Sequence, residues 1–204
     1  MRKSRVEKVN TCRICKFKFL KKVIDLGATP PANAFLNKNQ LKRRENNFPL
    51  VVNFCPKCNQ LQLSHFVSPE LLFRNYVYVS STSPVFIKHF EDYANDLYQR
   101  FNLGKQSLVL DIGSNDGVLL KPFKKLGVKV LGIDPAWAIA KKATKEGILT
   151  LPYFFNYKLA LKLTKEYGKA NIITANNTFA HLHNLDDIIS GVKELLLDEG
   201  VFII

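Results

Sequence analysis

In the second half of the chain, short apolar runs alternate with amphipathic segments. An apolar run of about five residues predicts a strand buried on both faces, and apolar positions three and four residues apart predict a helix packed on a sheet. The predicted strands lie near 107–112, 129–134, 171–176 and 200–204, with a weaker one near 148–151. The predicted helices lie near 117–126, 136–146, 157–167 and 185–197. The alternation predicts a doubly wound α/β fold with a parallel sheet and right-handed crossovers.

An amphipathic helix is predicted before the first of these strands. Ser83 is a suitable N-cap, and Pro84 suits the first helical position. Aromatic and aliphatic residues then recur at helical spacing, which predicts one apolar face packed on the sheet. They are Phe86, Phe90, Tyr93, Leu97 and Phe101.

The N-terminal part of the chain is patterned differently, with short strand-like runs at 48–54 and 61–66. All four cysteines lie here, as Cys12-x-x-Cys15 and Cys55-x-x-Cys58. Two such knuckles bring four thiolates around one tetrahedral Zn²⁺. Four cysteine ligands leave no open position for water, so we predict a structural zinc site in a ribbon-like module.

These patterns predict three regions. Residues 1–66 form the zinc module, residues 67–104 a connector with the amphipathic helix, and residues 105–204 the α/β domain. The stretch 72–83 is rich in Tyr, Ser and Thr, which suits a substrate-facing loop and equally suits packing between domains.

The strand near 107–112 runs into a glycine turn, Asp111-Ile-Gly113-Ser114-Asn115-Asp116-Gly117, and the next strand ends at Asp134-Pro135. Glycines allow a tight turn, and an acidic residue after the second strand can accept hydrogen bonds from two ribose hydroxyls. A dinucleotide would place a pyrophosphate here, which Asp111 and Asp116 oppose. S-adenosylmethionine carries cationic groups instead, so we predict that it is the cofactor.

A third polar strand end follows the run near 171–176. Asn176 and Asn177 need partners if buried, and the methionine moiety of the cofactor would supply them. His181 lies just beyond and could orient a substrate or move a proton; a hydrogen bond at a helix start explains it equally well.

The net charge is +13, from 30 Lys and Arg against 17 Asp and Glu. This charge suits nucleic acid or a phosphorylated small substrate, but the lysines are scattered, as on a solvated surface. No apolar run approaches the roughly 20 residues that span a bilayer, and no apolar signal segment follows the charged N-terminus. We therefore expect a cytoplasmic protein.

Taken together and in this order, the motifs resemble those of the zinc-containing sugar C-methyltransferases. These have a four-cysteine module before a Rossmann-like class I methyltransferase domain. The matching segments are Cys12–Cys15, 26–36, 54–63, 76–83, 111–117 and 176–181. The resemblance implies methyl transfer from S-adenosylmethionine to a ring carbon of a nucleotide-linked keto-deoxysugar, with Tyr76 and His181 at the sugar. We do not expect nucleic acid as a partner, because the lysines are scattered and no basic patch with interleaved aromatic residues stands out.

Members of that family continue beyond the strand that here ends at Ile204, with further strands and catalytic residues. We therefore expect a truncated member whose sheet is incomplete at its C-terminal edge and whose own activity is open. Two alternatives remain: a zinc-ribbon methyltransferase acting on RNA, and a binding module without catalysis. The sugar, the nucleotide and the oligomeric state do not follow from the sequence.

Overall fold

The computed structural model describes residues 6–42 and 44–204. They form two compact units, the first ending at Tyr76 and the second beginning at Val77. The division of the chain into regions 1–66, 67–104 and 105–204 stays a prediction. Within the described residues, no helix has both the length and the apolar character needed to cross a bilayer.

The first unit is built from short strands around the two cysteine knuckles. Its elements are β1 (Val6–Lys8), β2 (Lys21–Thr29), β3 (Phe48–Phe54), β4 (Leu61–Leu63), β5 (His65–Val67) and helix α1 (Pro69–Phe73). Strands β2, β3 and β4 form an antiparallel sheet, and β1 pairs with β5. The sequence predicted strands at 48–54 and 61–66, and the structure divides the second of these into β4 and β5; β1, β2 and α1 were not predicted.

The second unit contains the alternating elements that the apolar pattern predicted. They are α2 (Pro84–Arg100), β6 (Leu108–Ile112), α3 (Leu120–Lys125), β7 (Lys129–Ile133), α4 (Trp137–Lys145), β8 (Thr150–Leu151), α5 (Tyr157–Tyr167), β9 (Ala170–Thr174), α6 (Leu185–Leu195) and β10 (Leu196–Ile203). Single turns of 3₁₀ helix lie at Ser80–Thr82 and Phe179–His181.

The sheet of this unit is parallel, in the order β10-β9-β6-β7-β8. One apolar cluster joins the sheet to α5 and α6, and a second joins it to α2 and α3. Because the two clusters cover both faces of the sheet, all five residues of β6 are buried. The predicted doubly wound fold is confirmed.

Two boundaries differ from the prediction at the end of the chain. The helix ends at Leu195 and not at 197, and the strand begins at Leu196 and not at 200. The reason is a bulge: Leu196 pairs with Ala170, and regular pairing resumes only where Val201 meets Ile172. The residues between them are held as irregular strand.

Helix α2 begins where the sequence predicted. The Ser83 Oγ accepts a hydrogen bond from the Phe86 N–H at 3.4 Å, and Pro84 takes the first position. The predicted apolar face is only partly covered, because Phe90 and Leu97 are buried whereas Phe86 remains 40% exposed. The middle of α2 therefore makes the contact with the core.

Candidate cofactor cradle and four-cysteine centre

The two cysteine knuckles have the same backbone geometry. In the first, the Lys16 N–H donates to the Cys12 carbonyl at 2.9 Å; in the second, the Asn59 N–H donates to the Cys55 carbonyl at 2.8 Å. The residue after each second cysteine is left-handed, with φ of 61° at Lys16 and 60° at Asn59. Both turns therefore point their thiols inward in the same way.

The structure brings the four predicted metal ligands together. Their Sγ atoms all lie within 4.8 Å of one another, and the Cys12–Cys58 and Cys15–Cys55 pairs are each 3.5 Å apart. Sulfur atoms bonded to one tetrahedral Zn²⁺ at about 2.3 Å lie nearly this close. The donor set and its geometry fit zinc.

The electrostatics of the cluster also call for a cation. Burial opposes ionisation of Cys12, but the N–H groups of Cys15 and Ile14, together with the thiols of Cys58 and Cys15, outweigh it and lower its pKa to about 7. At Cys58 the N–H of Gln60 favours the thiolate, but burial and the three other thiols raise the pKa to about 12. Four thiolates this close can coexist only around a positive ion.

Gln62 fixes one knuckle to the sheet, a role that the sequence did not indicate. Its Oε1 accepts the Arg13 N–H at 2.8 Å, and its Nε2 donates to the Thr11 carbonyl at 3.0 Å. Gln62 is buried, and it lies on β4 just after the second knuckle. The side chain thus holds the first knuckle at a fixed place beside the second.

In the second unit, the predicted cofactor residues gather at the carboxyl edge of the sheet. Strand β6 lies between β7 and β9, where the strand order reverses, and this is where ligands bind in open α/β sheets. Asp111 lies near the carboxyl end of β6, Asp134 follows β7, and Asn176 lies just beyond β9. The sheet topology therefore brings three separated segments to one crevice.

The glycine turn has the tight geometry that the motif predicted, with φ of 79° at Gly113 and 75° at Gly117. A Cβ on Gly113 would lie 2.2 Å from the Thr178 Oγ1, and one on Gly117 would lie 2.8 Å from the Ile148 Cγ2. Protein side chains thus already require both glycines. Thr178 was not among the predicted site residues, although it lies within the matching segment 176–181.

Gly132 in the middle of β7 is explained in the same way. A Cβ there would lie 2.4 Å from the Ser114 Oγ and 2.7 Å from the Thr150 Oγ1. A glycine inside a strand signals such a close approach, so the sequence did carry a sign of this contact. Ser114 therefore packs into the sheet, where its buried Oγ has no hydrogen-bond partner among the described residues.

Asp134 holds the glycine turn through one carboxylate oxygen and its own loop through the other. Its Oδ2 accepts the Asn115 N–H at 2.9 Å, and its Oδ1 accepts the Ala136 N–H at 2.8 Å. Burial raises the pKa of Asp134, and these two N–H groups partly oppose the rise. Pro135 lies between Asp134 and Ala136, just before α4 begins. Each oxygen keeps a lone pair that a hydroxyl could use.

Asp111 is the most strongly perturbed carboxyl of the crevice. Its Oδ1 accepts a hydrogen bond from the Thr174 Oγ1 at 2.6 Å. Burial raises its pKa to about 7, the Thr174 hydroxyl opposes the rise, and the nearby Asp134 adds to it. Thr174 pairs with Asp111 across β9 and β6, a partnership that only the strand register reveals.

Three buried carboxyl groups, those of Asp111, Asp116 and Asp134, therefore lie at one edge. No ion pair joins any of them to a cationic side chain in the described part of the chain. The Oδ1 of Asp116 is buried and has no hydrogen-bond partner there, and the Nδ2 of Asn176 makes no hydrogen bond of regular geometry. The Asn176 amide does lie near the Tyr93 hydroxyl, where it opposes the rise that burial causes in the pKa of Tyr93. Such a crevice suits a ligand that carries positive charge and both donors and acceptors.

The remaining predicted residues are placed less tightly. Asn177 is exposed and left-handed, with φ of 54°. His181 is exposed at the end of its 3₁₀ turn, and its N–H donates to the Thr178 carbonyl at 2.9 Å. Tyr76 belongs to the first unit, where its hydroxyl accepts a hydrogen bond from Asn33 at 3.1 Å.

Comparisons with known proteins agree with this geometry. Residues 12–73 match the family described as "Putative zinc binding domain", and residues 86–204, more than half of the chain, match the family described as "Methyltransferase domain". The chain belongs to the methyltransferase domain family. The predictions of S-adenosylmethionine and zinc as cofactors are thereby confirmed, whereas the roles of individual residues stay predictions.

The curated relative "C-methyltransferase NovU" from Streptomyces niveus is 31% identical over 199 residues, which cover 98% of this chain and 47% of the relative. This chain thus spans about half the length of that relative. Among solved structures, the PH0226 protein from Pyrococcus horikoshii OT3 superposes with a TM-score of 0.50 at 17% identity. The match covers 67% of this chain and 58% of that one and concerns the fold alone.

Proposed function

We propose that this chain takes part in S-adenosylmethionine-dependent C-methylation of a nucleotide-linked keto-deoxysugar. The observation that carries the cofactor half is the set of three buried carboxyl groups without cationic partners. A sulfonium and an ammonium group would supply the missing positive charge, whereas a pyrophosphate would be repelled. The relative named as a C-methyltransferase supports methyl transfer to carbon, and the nucleotide-linked sugar is what the resemblance of the motifs implies.

In this proposal the crevice residues divide the cofactor between them. Asp134 accepts hydrogen bonds from the ribose hydroxyls, next to the turn whose Asn115 N–H it already holds. Asp111 and Asp116 face the cationic end, and the Nδ2 of Asn176 donates to the carboxylate of the methionine moiety. Gly113, Ser114, Asn115, Gly117, Pro135 and Asn177 complete the wall of the site.

The chemistry needs an acidic carbon next to a ketone. A base removes the proton from this carbon and leaves a nucleophilic enolate. When bound, the cofactor would supply a sulfonium methyl group in line with that carbon; the methyl–sulfur bond would break, with its electron pair left on sulfur as S-adenosylhomocysteine, as the new carbon–carbon bond formed. By resemblance, His181 and Tyr76 are the groups at the sugar, and His181 lies exposed at the end of its 3₁₀ turn. Orientation of the two reactants accounts for much of the rate.

The nucleotide diphosphate of such a substrate is an anion, and the net charge of +13 suits it. The same charge does not single out RNA, because the described lysines at α3 and α4 are partly paired with acidic groups. Lys121 and Lys142 both contact Glu146, and Lys125 contacts Glu91.

Calorimetric titration with S-adenosylmethionine and with its demethylated product, S-adenosylhomocysteine, tests the cofactor half. Wild-type protein loaded with zinc should bind both, and Asp134→Ala should weaken binding by about 100-fold because charge-assisted hydrogen bonds are lost. Asp198→Ala, at a side chain that is 99% exposed, is the matched control and should bind normally. A folded wild-type protein that binds neither compound would refute the proposal.

The sugar half is tested by deuterium exchange from heavy water into a nucleotide-linked 4-keto-deoxysugar. The exchange reports removal of the carbon-bound proton without requiring methyl transfer. His181→Gln should slow it by at least tenfold, whereas His183→Gln, an exposed histidine two residues away, should not. Equal exchange in both variants would remove His181 from the mechanism.

A further inference from the structure

The side chain of Asn115 joins the glycine turn to the segment that precedes α2. Its Oδ1 accepts the Ser80 N–H at 3.0 Å, and its Nδ2 donates to the Tyr78 carbonyl at 2.9 Å. One donor and one acceptor thus bond the backbone of residues 78 and 80, as a neighbouring strand would. The side chain that the sequence assigned to the cofactor is engaged with residues 77–83.

The backbone of Asn115 is tied to the cofactor crevice at the same time. Its N–H donates to the Asp134 Oδ2 at 2.9 Å, and its Oδ1 also accepts the Asp116 N–H at 3.0 Å. Asn115 is left-handed, with φ of 49°. A single residue therefore connects the carboxylate proposed to hold the ribose with residues 77–83.

Part of the composition of residues 77–83 has a local explanation, because the Ser83 Oγ caps α2 and the Thr82 Oγ1 donates to the Val79 carbonyl at 2.9 Å. Val77 is 55% exposed and Tyr78 is 43% exposed, and four hydroxyl-bearing residues follow at 80–83. The segment is bonded to the turn that follows β6, at the edge of the sheet where the transferred group would lie. An exposed aromatic ring and several hydroxyls at this edge suit contact with a polar sugar.

We infer that Asn115 is a positioning residue that couples occupation of the cofactor crevice to the order of residues 77–83. This inference rests on the proposed function. A cofactor that packs on the turn restrains Asn115, and Asn115 restrains the segment through its two side-chain bonds. The segment then forms a wall of the methyl acceptor's site once the cofactor is bound. By linkage, a restrained segment favours cofactor binding to the same extent.

Glycine is the informative replacement at position 115. It adopts positive φ without strain, so Asn115→Gly keeps the turn and the backbone bond to Asp134. It removes both bonds to residues 77–83 and the side-chain bond to the Asp116 N–H. Asn102→Gly is the matched control, because Asn102 is also left-handed, with φ of 47°, and lies beyond the end of α2 in the same unit.

The test is hydrogen–deuterium exchange at the Ser80 amide, followed by NMR with and without saturating S-adenosylhomocysteine. In the wild type and in Asn102→Gly, the ligand should slow Ser80 exchange by at least tenfold. In Asn115→Gly the amide should exchange fast and should not respond to the ligand. Calorimetry should show about tenfold weaker binding of S-adenosylhomocysteine by Asn115→Gly, within the usual range of coupling between sites.

The possible failures are distinguishable. If the wild type binds S-adenosylhomocysteine but Ser80 exchanges at the same rate with and without it, the coupling is refuted and the proposed function stands. The same conclusion follows if Asn115→Gly retains both the slowed exchange and the wild-type affinity. If the folded wild type does not bind the ligand at all, the proposed function fails, and the inference fails with it.

Discussion

In the unit that ends at Tyr76, the buried side chains among the described residues are Cys12, Phe48, Cys55, Gln62 and Ser64. The unit that begins at Val77 instead buries two clusters of aliphatic and aromatic side chains, one on each face of its sheet. Strand β2 of the first unit is exposed at every residue but Thr29, whereas β6 of the second is buried throughout. The two units of one chain thus differ in the interactions that stabilise each of them.

The difference follows from size and from the distribution of apolar residues. A unit this small buries too little apolar surface to offset the conformational entropy of folding, and such units usually depend on disulfides or metals. Two of the five buried side chains in the first unit are thiols of the four-cysteine site. Its metal takes the place of a core, whereas the second unit has a core before any cofactor binds.

Removal of the metal should therefore produce the largest difference in stability between the two units. Cys55→Ser, or treatment with a strong zinc chelator, should unfold the first unit, because structural zinc supplies on the order of 10 kcal/mol or more. The second unit should remain folded. Hydrogen exchange followed by mass spectrometry reads the two units separately, and elemental analysis counts the zinc.

Lys57→Ala is the control for this change. Lys57 lies inside the second knuckle and is exposed, but it offers no thiol, so the variant should keep one zinc and normal exchange. A Cys55→Ser protein that keeps zinc and a protected first unit would contradict the contrast between the two units.

Acid should act on the two units in opposite directions. Protons compete with zinc for the thiolates, so the first unit should lose metal and stability as the pH falls. In the second unit, burial raises the pKa of Asp111 from 3.8 to about 7, so the native state binds a proton that the unfolded state releases. This contribution is fully present below pH 3.8 and is lost as the pH rises through about 7.

The Asp111 contribution amounts to about 4 kcal/mol over the whole window. Urea unfolding of the second unit at pH 5.5 and pH 8, without cofactor, should show part of it as greater stability at the lower pH. Asp111→Asn keeps an oxygen that accepts from Thr174 and should flatten this dependence. If both units lost stability alike on acidification, the contrast in their electrostatics would be wrong.

Most of the second unit was predictable, because its strands and helices each carry their own pattern. The strand from 108 to 112 and the helix from 157 to 167 lie within a residue of the prediction. Where prediction missed, non-local contacts decided. The early start of β10 depends on the pairing of Leu196 with Ala170, and no local signal near Leu196 shows it.

The candidate site shows the same division. Glycines and acids in a short motif marked the crevice, and the cysteine spacing marked the metal centre. The partnership of Thr174 with Asp111 depends on strand register, and the bonds from Asn115 to residues 78 and 80 join positions 35 or more residues apart. A sequence motif identifies which residues matter, but their partners are fixed only when the chain folds.

The smallest expected effects come from shortening one leucine side chain in each unit and comparing the changes in the free energy of unfolding. Leu110 is fully buried in β6, and Leu26 in β2 is 57% exposed. Leu110→Ala should lower the free energy of unfolding of the second unit by about 3 kcal/mol, because a cavity is left behind. Leu26→Ala should change that of the first unit by no more than about 0.5 kcal/mol, because its side chain stays largely in water.

Urea titrations of zinc-loaded protein, with hydrogen exchange to assign each transition to its unit, measure both free energies of unfolding. A loss for Leu26→Ala as large as that for Leu110→Ala would mean that β2 is covered in solution and that the first unit is held by burial as well as by its metal.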